Sequence, residues 1–354
     1  MCEPIVAQRK PYFVELKAGR PYAWCACGRS ARQPFCDGSH AGTGIEPFRF
    51  VAEADREAVL CGCKHTGNPP FCDGSHNNLS DTYEEAGEDE IRATASIPVT
   101  PRDHGRTGRA VLNGGCYVLT VSLDSAERQG AMRIVPVIDQ DRGAKFLSQY
   151  YAEVEQGTSG VLAFPGSEVV LFLSGGSAGV TISGTEFELA PECGAYIRTG
   201  EAFAVHNTGA EPVRMAITVC PQCEGPQWLD SMPHNFDASV PQRVAAVDES
   251  RREPMADRFY QVLVGEEMGS ASITGFIGEV PKSRAAGHHH LYEEAILILS
   301  GEGFMWTEKA RAQVQPGDII FLPRKQLHSL ECTAPDGMRL LGVFYPSGSP
   351  AVNY

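Results

Sequence analysis

The chain has 354 residues, enough for two or three domains. Hydrophobic residues make up 42% and charged residues 21%, and 37 Gly with 24 Pro suit a turn-rich, mainly β protein better than a helical one. The net charge of −14 argues against nucleic acid or an anionic membrane as partner, because both require basic patches. No apolar run approaches the ~20 residues needed to span a bilayer, and Met1-Cys2-Glu3-Pro4-Ile5 lacks the basic-then-apolar start of a signal peptide. A cytoplasmic location is expected. Six of the 12 cysteines fall in two short clusters, while Cys2, Cys116, Cys193, Cys220, Cys223 and Cys332 are scattered. A disulfide scaffold would be shorter and more evenly studded. Clustered thiols point instead to metal or iron–sulfur ligation.

Residues 1–80 contain an internal repeat with a period of 36. The first copy is Cys25-Ala26-Cys27-Gly28-Arg29-Ser30, then Pro34-Phe35-Cys36-Asp37-Gly38-Ser39-His40. The second is Cys61-Gly62-Cys63-Lys64-His65-Thr66, then Pro70-Phe71-Cys72-Asp73-Gly74-Ser75-His76. Each copy is too small to bury a useful core and calls for an inorganic staple. Zinc sites usually space their cysteines more widely than C-x-C-x8-C-x3-H. That spacing, with the Cys-Asp-Gly-Ser-His string at 36–40 and 72–76, resembles the CDGSH iron–sulfur (mitoNEET-like) family. The resemblance implies two [2Fe–2S] clusters, one held by Cys25, Cys27, Cys36 and His40, the other by Cys61, Cys63, Cys72 and His76. It also implies that the string opens a helix, with Asp37 and Asp73 suited to cap it. Single-motif members of the family pair as dimers, so two motifs in one chain imply internal pairing. One imidazole in place of a thiolate removes negative charge, which should raise the potential, couple it to pH and leave the cluster acid-labile.

Residues 81–104 read as an acidic linker, with Asp81, Glu84, Glu85, Glu88, Asp89 and Glu90 on a solvated face. Residues 105–230 read as a second body, with strands at Tyr117–Leu123, Val169–Leu173, Val180–Ser183, Phe187–Leu189 and Met215–Val219. Cys220-Pro221-Gln222-Cys223 follows the last strand. Without a second pair or a βαβ context it reads as coincidence or a weak accessory thiol pair. A linker covers 231–257, within a Pro- and charge-rich stretch that starts at Glu224.

Residues 258–354 carry the most telling pattern. His288 and His290, one residue apart, point the same way on a strand. Glu294 follows, then the apolar run Ala295–Leu299 and the turn Ser300-Gly301-Glu302-Gly303. His328 comes after Pro316-Gly317-Asp318, the strand Ile319–Leu322 and Pro323. Three imidazoles and a carboxylate on strands can converge inside a small barrel and hold one divalent metal. The spacing His288-x-His290-x3-Glu294-x6-Gly301, then Gly317-x5-Pro323-x4-His328, resembles the two cupin motifs. It departs from them at Lys325, where the family has Gly; that alters a turn and not a ligand. The resemblance implies a jelly-roll β-barrel with a mononuclear metal on His288, His290, Glu294 and His328. Phe276, Phe304, Trp306, Gln326 and Tyr345 are candidates for the barrel interior, and Arg284 and Arg339 for an acidic-substrate anchor or a solvated surface.

The middle body resembles a second cupin copy. Glu168–Gly175 parallels Glu294–Gly301, which places Leu162 and Phe164 at the histidine positions. In the second motif Gly194 matches Gly317, Gly200 replaces Pro323 and Val205 replaces His328, with His206 one residue late and so facing away. One carboxylate without imidazoles does not hold a transition metal. The expected architecture is therefore mainly β: two cupin barrels of jelly-roll type, the first degenerate, preceded by a small two-motif CDGSH domain.

An electron-carrying domain joined to such a metal site suggests a non-haem iron oxygenase or oxidase acting on a small molecule. The two clusters would relay electrons from an external reductase or ferredoxin-like donor. The ligand set also admits Mn, Ni, Zn and Cu. Two alternatives are a redox-neutral metallo-cupin isomerase or lyase with structural clusters, and a redox or oxygen sensor without turnover. The sequence leaves a homo-oligomer open.

Overall fold

The computed structural model describes residues 4–8, 10–78, 97–103, 108–255, 257–270, 272–285 and 287–351. Cys2 and most of the linker at 81–104, including its acidic run, lie outside the described residues. The chain divides into two compact units, Met1–Ala95 with Ala351–Tyr354, and Ser96–Pro350. Among the described residues there is no α-helix, and none is long and apolar enough to cross a membrane.

In the first unit the two copies interlace. Strand Tyr12–Leu16 pairs antiparallel with Arg56–Leu60, which leads into the second cysteine cluster. Strand Pro21–Trp24, which leads into the first, pairs with Phe48–Val51. Each ribbon thus takes one strand from either side of the repeat boundary, which is the internal pairing expected. Two-stranded ribbons are marginal alone. Here Leu16, Trp24, Ala52, Ala58 and Leu60 bury against one another and against Cys61 and Cys63 in one small core. The helix expected after each Asp is replaced by turns at 38–44 and a single 3-10 turn at Ser75–Asn78. The aspartates still cap, but they cap turns. Asp37 accepts from the N–H of Ser39 at 3.0 Å and Ala31 at 2.8 Å, and Asp73 from Ser75 at 3.0 Å and Gly67 at 2.6 Å.

In the second unit two barrels exchange their leading strands. Residues 109–120, expected in the middle body, belong to the sheet of the last barrel, where Tyr117–Thr120 pairs with Asp318–Leu322. The stretch expected as a linker is also built in. Val244–Ala246 pairs with Cys193–Ile197 in the first barrel, and Gln227–Leu229 with Val161–Ala163. An arginine anchors each crossing arm. Arg102 donates to both carboxylate oxygens of buried Asp318 at 3.0 and 2.6 Å. Arg243, with no exposed side-chain surface, donates to Glu201 at 2.5 and 2.9 Å.

Alternation along the strands separates two cores. Val169, Leu171 and Leu173 face the interior of the first barrel. Val170 and Phe172 face a shared layer with Leu263, Ile277, Ala295, Leu297 and Val343 of the last barrel. In strand Glu293–Ser300 the parity places Ala295 and Leu297 in that shared layer, so Glu294, Ile296 and Ile298 point into the last barrel.

Candidate metal centres

The predicted histidines come together, but not on the expected strand: His288 sits in an isolated bridge and the strand begins only at Glu293. His288 and His328 face each other across a bridge whose backbone N–H groups donate to the opposite carbonyls at 3.0 and 2.9 Å. The ring centroids of His288, His290 and His328 lie 4.4 to 5.0 Å apart, and a ring nitrogen from each falls within 4.8 Å of the other two. Glu294 Oε2 is 3.0 Å from His290 Nδ1. His328 Nδ1 lies 2.8 Å from the carbonyl of Gln326, which can only accept, so Nδ1 carries the proton and Nε2 is left with its lone pair toward the cluster. Burial, then the charge of His288 and His290, pushes the His328 imidazole well below its ordinary pKa, so it is held neutral. The Oε2 of buried Glu294 accepts no hydrogen bond. A buried carboxylate oxygen without a donor, beside converging imidazole lone pairs, fits a divalent cation. Lys325, where the resembled family carries Gly, adopts a left-handed φ of 65° in the turn before His328 and donates its N–H to the His290 carbonyl at 2.7 Å.

An aromatic wall backs these donors. Tyr292 packs 4.4 Å from the His290 ring and stacks on Phe344 at 4.0 Å, with Phe276 edge-on to Phe344 at 5.9 Å. Gly342 makes room for the wall: a Cβ there would lie 2.2 Å from the Phe276 ring and 3.1 Å from Glu294 Oε1. Tyr292 and Phe344 were not among the sequence candidates. Tyr292 lies in the bend just before strand Glu293–Ser300, where no strand periodicity marks it.

Other candidates lie elsewhere. Trp306 pairs with Ser329 and Phe304 with Glu331, on the face opposite His328, so neither points inward. Trp306 instead donates to Glu331 at 2.7 Å and lies 4.0 Å beneath the Arg284 guanidinium. Tyr345 faces the shared layer and stacks on Phe146 at 6.0 Å. Gln326 donates to the Leu327 carbonyl at 2.8 Å and packs against Gly114, where a Cβ would lie 1.5 Å from its Oε1. Arg339 is committed to Glu192, at 2.7 Å, and to Glu279.

The first barrel holds no such donors in its interior. Leu162, Phe164, Val169, Phe203 and Val205 fill it. The match of Glu168 to Glu294 is off by one. Glu168 lies opposite Cys220 as Glu293 lies opposite Tyr345, so Glu168 corresponds to Glu293 and Val169 to Glu294. Glu168 and Glu293 reach across the shared layer in opposite directions. Glu293 accepts from the N–H groups of Lys145, Phe146 and Leu147 at 2.8 to 3.2 Å. Glu168 accepts from Tyr196, Ser270 and Ser272 at 2.6 to 3.2 Å. His206 turns away from the interior, toward Thr181 at 2.7 Å and Thr158 at 3.2 Å. Cys220 is fully buried, and burial, then the carboxylates of Glu293 and Glu168, pushes its thiol well above the ordinary value. A thiol held protonated is a poor redox nucleophile.

In the first unit the donors of each copy lie as two close pairs, arranged alike in the two copies. Cys25 and Cys27 Sγ lie 3.7 Å apart, Cys61 and Cys63 Sγ 3.5 Å. Cys36 Sγ is 3.1 Å from His40 Nδ1, and Cys72 Sγ 3.3 Å from His76 Nδ1. The hairpin that folds the third cysteine back is tied by Ser30 and Thr66, whose hydroxyls donate to the carbonyls of Phe35 and Phe71 at 2.6 and 2.7 Å. Burial pushes the thiols of Cys63 and Cys72 up to about 11 and about 12. Such groups become thiolates only beside a cationic centre, so three soft donors and one imidazole per copy fit an iron–sulfur group.

The fold and these donors define a two-barrel β protein with a cysteine- and histidine-bearing domain at its N terminus, and comparison with known proteins matches both ends to known domains. Residues 4–41 and 46–77 match the iron-binding zinc finger CDGSH type, and residues 277–344 match the cupin domain. The chain thus carries a CDGSH domain at its N terminus and a cupin domain in its C-terminal region. It is similar to the mitochondrial CDGSH iron-sulfur domain-containing protein 3 of Mus musculus, 55% identical over 14% of this chain and 39% of that protein. It is also similar to quercetin 2,3-dioxygenase of Bacillus subtilis (strain 168), 28% identical over 31% of this chain and 34% of the relative. The matches therefore span only a third to two fifths of these relatives' length. Among solved structures, protein Ylba from E. coli superposes with a TM-score of 0.52 at 17% identity, over 70% of this chain and 97% of that one, which shows the two-barrel fold.

Proposed function

We propose that the last barrel is a mononuclear non-haem iron site, held by His288, His290, Glu294 and His328, at which a small molecule is oxidised. In this reading the N-terminal domain holds two [2Fe–2S] clusters that feed it electrons from an external donor. The observation that carries the reading is the convergence of three buried or half-buried imidazoles on a carboxylate oxygen that accepts no hydrogen bond. It is joined, in one chain, to two sets of three cysteines and a histidine. A metal bound there would supply a Lewis-acidic, redox-active centre with positions left for exogenous ligands. The chain's own contribution is orientation and exclusion of water. The Gln326 carbonyl fixes the His328 tautomer, and the Tyr292–Phe344–Phe276 wall keeps one side of the site dry and suits a planar, apolar-bodied substrate. The similarity to a protein named quercetin 2,3-dioxygenase supports oxidation over redox-neutral chemistry.

The test is metal and spectral analysis of anaerobically purified protein together with oxygen uptake under reductant. Two binuclear clusters and one mononuclear iron give about five irons per chain and a reducible visible band. His328→Ala should lose about one iron and the oxygen uptake while the band stays intact. Four irons with one Mn, Ni or Zn, and no uptake, would replace the oxygenase with a redox-neutral enzyme.

A further inference from the structure

The two thiol-bearing copies agree at every predicted ligand and differ at several positions between them, one of which places a buried lysine. Lys64 corresponds, by the offset of 36, to Gly28. Both lie in the left-handed region, at φ 70° and 79°. Glycine takes that conformation freely and is needed at 28, where a Cβ would lie 1.8 Å from the Ile5 carbonyl oxygen. A lysine there costs on the order of 1 kcal/mol, which persists only when the surroundings enforce it.

The side chain shows what enforces it. Lys64 is 6% exposed. Its Nζ donates to the Cys61 carbonyl at 3.0 Å, and the same carbonyl accepts from Trp24 Nε1 at 3.0 Å. Nζ sits 4.8 Å from the centre of the Trp24 ring and 5.5 Å from that of Tyr12. Trp24 directly precedes Cys25, the first thiol of the other copy. The ammonium is therefore seated where the two cysteine sets meet.

Building on the two-cluster reading, we propose that Lys64 is a single buried cation shared by both cysteine cradles, which raises the reduction potential of both centres together. An added electron is stabilised by a fixed positive charge in a dry surrounding far more than by one in water, and salt screens such a pair little. The backbone N–H of Lys64 also donates to Cys61 Sγ at 3.2 Å, so the second copy should feel the residue more strongly.

The test uses the full chain, purified anaerobically, with Lys64→Met, Lys64→Gly and Lys64→Arg. Lys64→Gly removes the charge and the backbone strain together, so it guards against a simple failure to fold. Iron content and the visible band are read first, then the midpoint potentials by optical titration. The expected result is an intact band in all three variants. Met and Gly should lower the reduction equilibrium constant about tenfold, a fall of about 59 mV for a one-electron couple, with Arg near the parent. A parent protein without the band overturns the two-cluster reading and this proposal with it. A banded parent whose Met and Gly variants keep its potentials overturns the role of Lys64 alone, as does loss of the band in Met and Gly alike.

Discussion

In the first barrel the interior positions of strand Glu168–Gly175 are Val169, Leu171 and Leu173. In the last barrel the equivalent positions of Glu293–Ser300 are Glu294, Ile296 and Ile298. The frames agree along these strands, each headed by a glutamate that crosses the shared layer, and an arginine pins each exchanged arm. What differs is the chemistry of a few inward positions. A barrel interior is apolar by default, and a buried carboxylate with no donor is tolerated where something else compensates it. The first barrel shows the frame stable on packing alone. The last shows a like interior that holds a carboxylate, Glu294, whose Oε2 lies 3.0 Å from His290 Nδ1 and accepts no hydrogen bond, at the place of the proposed metal.

The largest effect is expected from breaking that difference directly. Val169→Glu would bury an unpaired carboxylate in the first barrel and should cost on the order of 5 kcal/mol, read as a lower urea midpoint. The converse, Glu294→Val measured in metal-stripped protein, should leave stability unchanged or raise it. A matching loss there would mean that the carboxylate is compensated by the fold itself.

Next come the arms. Arg243→Met takes the fully buried guanidinium from Glu201, leaving it the N–H groups of Arg198 and Asp237 at 3.0 and 2.9 Å, and should cost about 3 kcal/mol. Arg102→Met should cost less, about 2 kcal/mol, because its side chain is 14% exposed where that of Arg243 is wholly buried, while Asp318 likewise keeps two donors, the Thr120 hydroxyl and the Gln315 N–H. Equal losses in chemical unfolding would contradict the assignment of Arg243 as the more deeply committed anchor.

The crossing glutamates differ by donor type. Glu293→Ala leaves three backbone N–H groups that cannot turn elsewhere and should cost about 3 kcal/mol. Glu168→Ala should cost about half that, since the hydroxyls of Tyr196, Ser270 and Ser272 that donate to it can rotate to other acceptors. Thermal melts of the two variants side by side test the order.

The smallest expected effect is a pH dependence confined to the first barrel. Burial alone would raise the Glu201 carboxyl, but the Arg243 guanidinium and the N–H groups of Asp237 and Arg198 outweigh it and hold it below the ordinary range. A carboxyl depressed in the folded state contributes stability above its unfolded pKa, about 4.3, and loses it as pH falls through the folded value. The melting temperature should therefore fall more steeply in acid for the parent than for Glu201→Gln. Parallel acid limbs would remove Glu201 from the account.

Much of this molecule was legible from residue order. The two cysteine sets, the 36-residue period and the His288, His290, Glu294 and His328 spacing are local patterns, and local patterns survive folding because period two and tight turns are set by the backbone itself. The misreadings fell where identity depends on a distant strand. Residues 109–120 look like part of the barrel that follows them and pair with the one after. Trp306 and Tyr345 look like site residues, and pairing with Ser329 and Glu293 sends them to other faces. Glu168 looks like Glu294 because a one-residue slip keeps the run of apolar letters intact while moving every side chain to the opposite face.

By itself, the sequence determined which donors exist and that they recur at fixed intervals, because ligand type and spacing are covalent facts. Only the tertiary structure decided which strand completes which barrel, which carboxylate faces the three converging histidines and which clamps two barrels together, and that one buried lysine bonds the Cys61 carbonyl beside Trp24. Those are outcomes of pairing between segments far apart in the chain, where burial of apolar faces selects the register and no local signal records it.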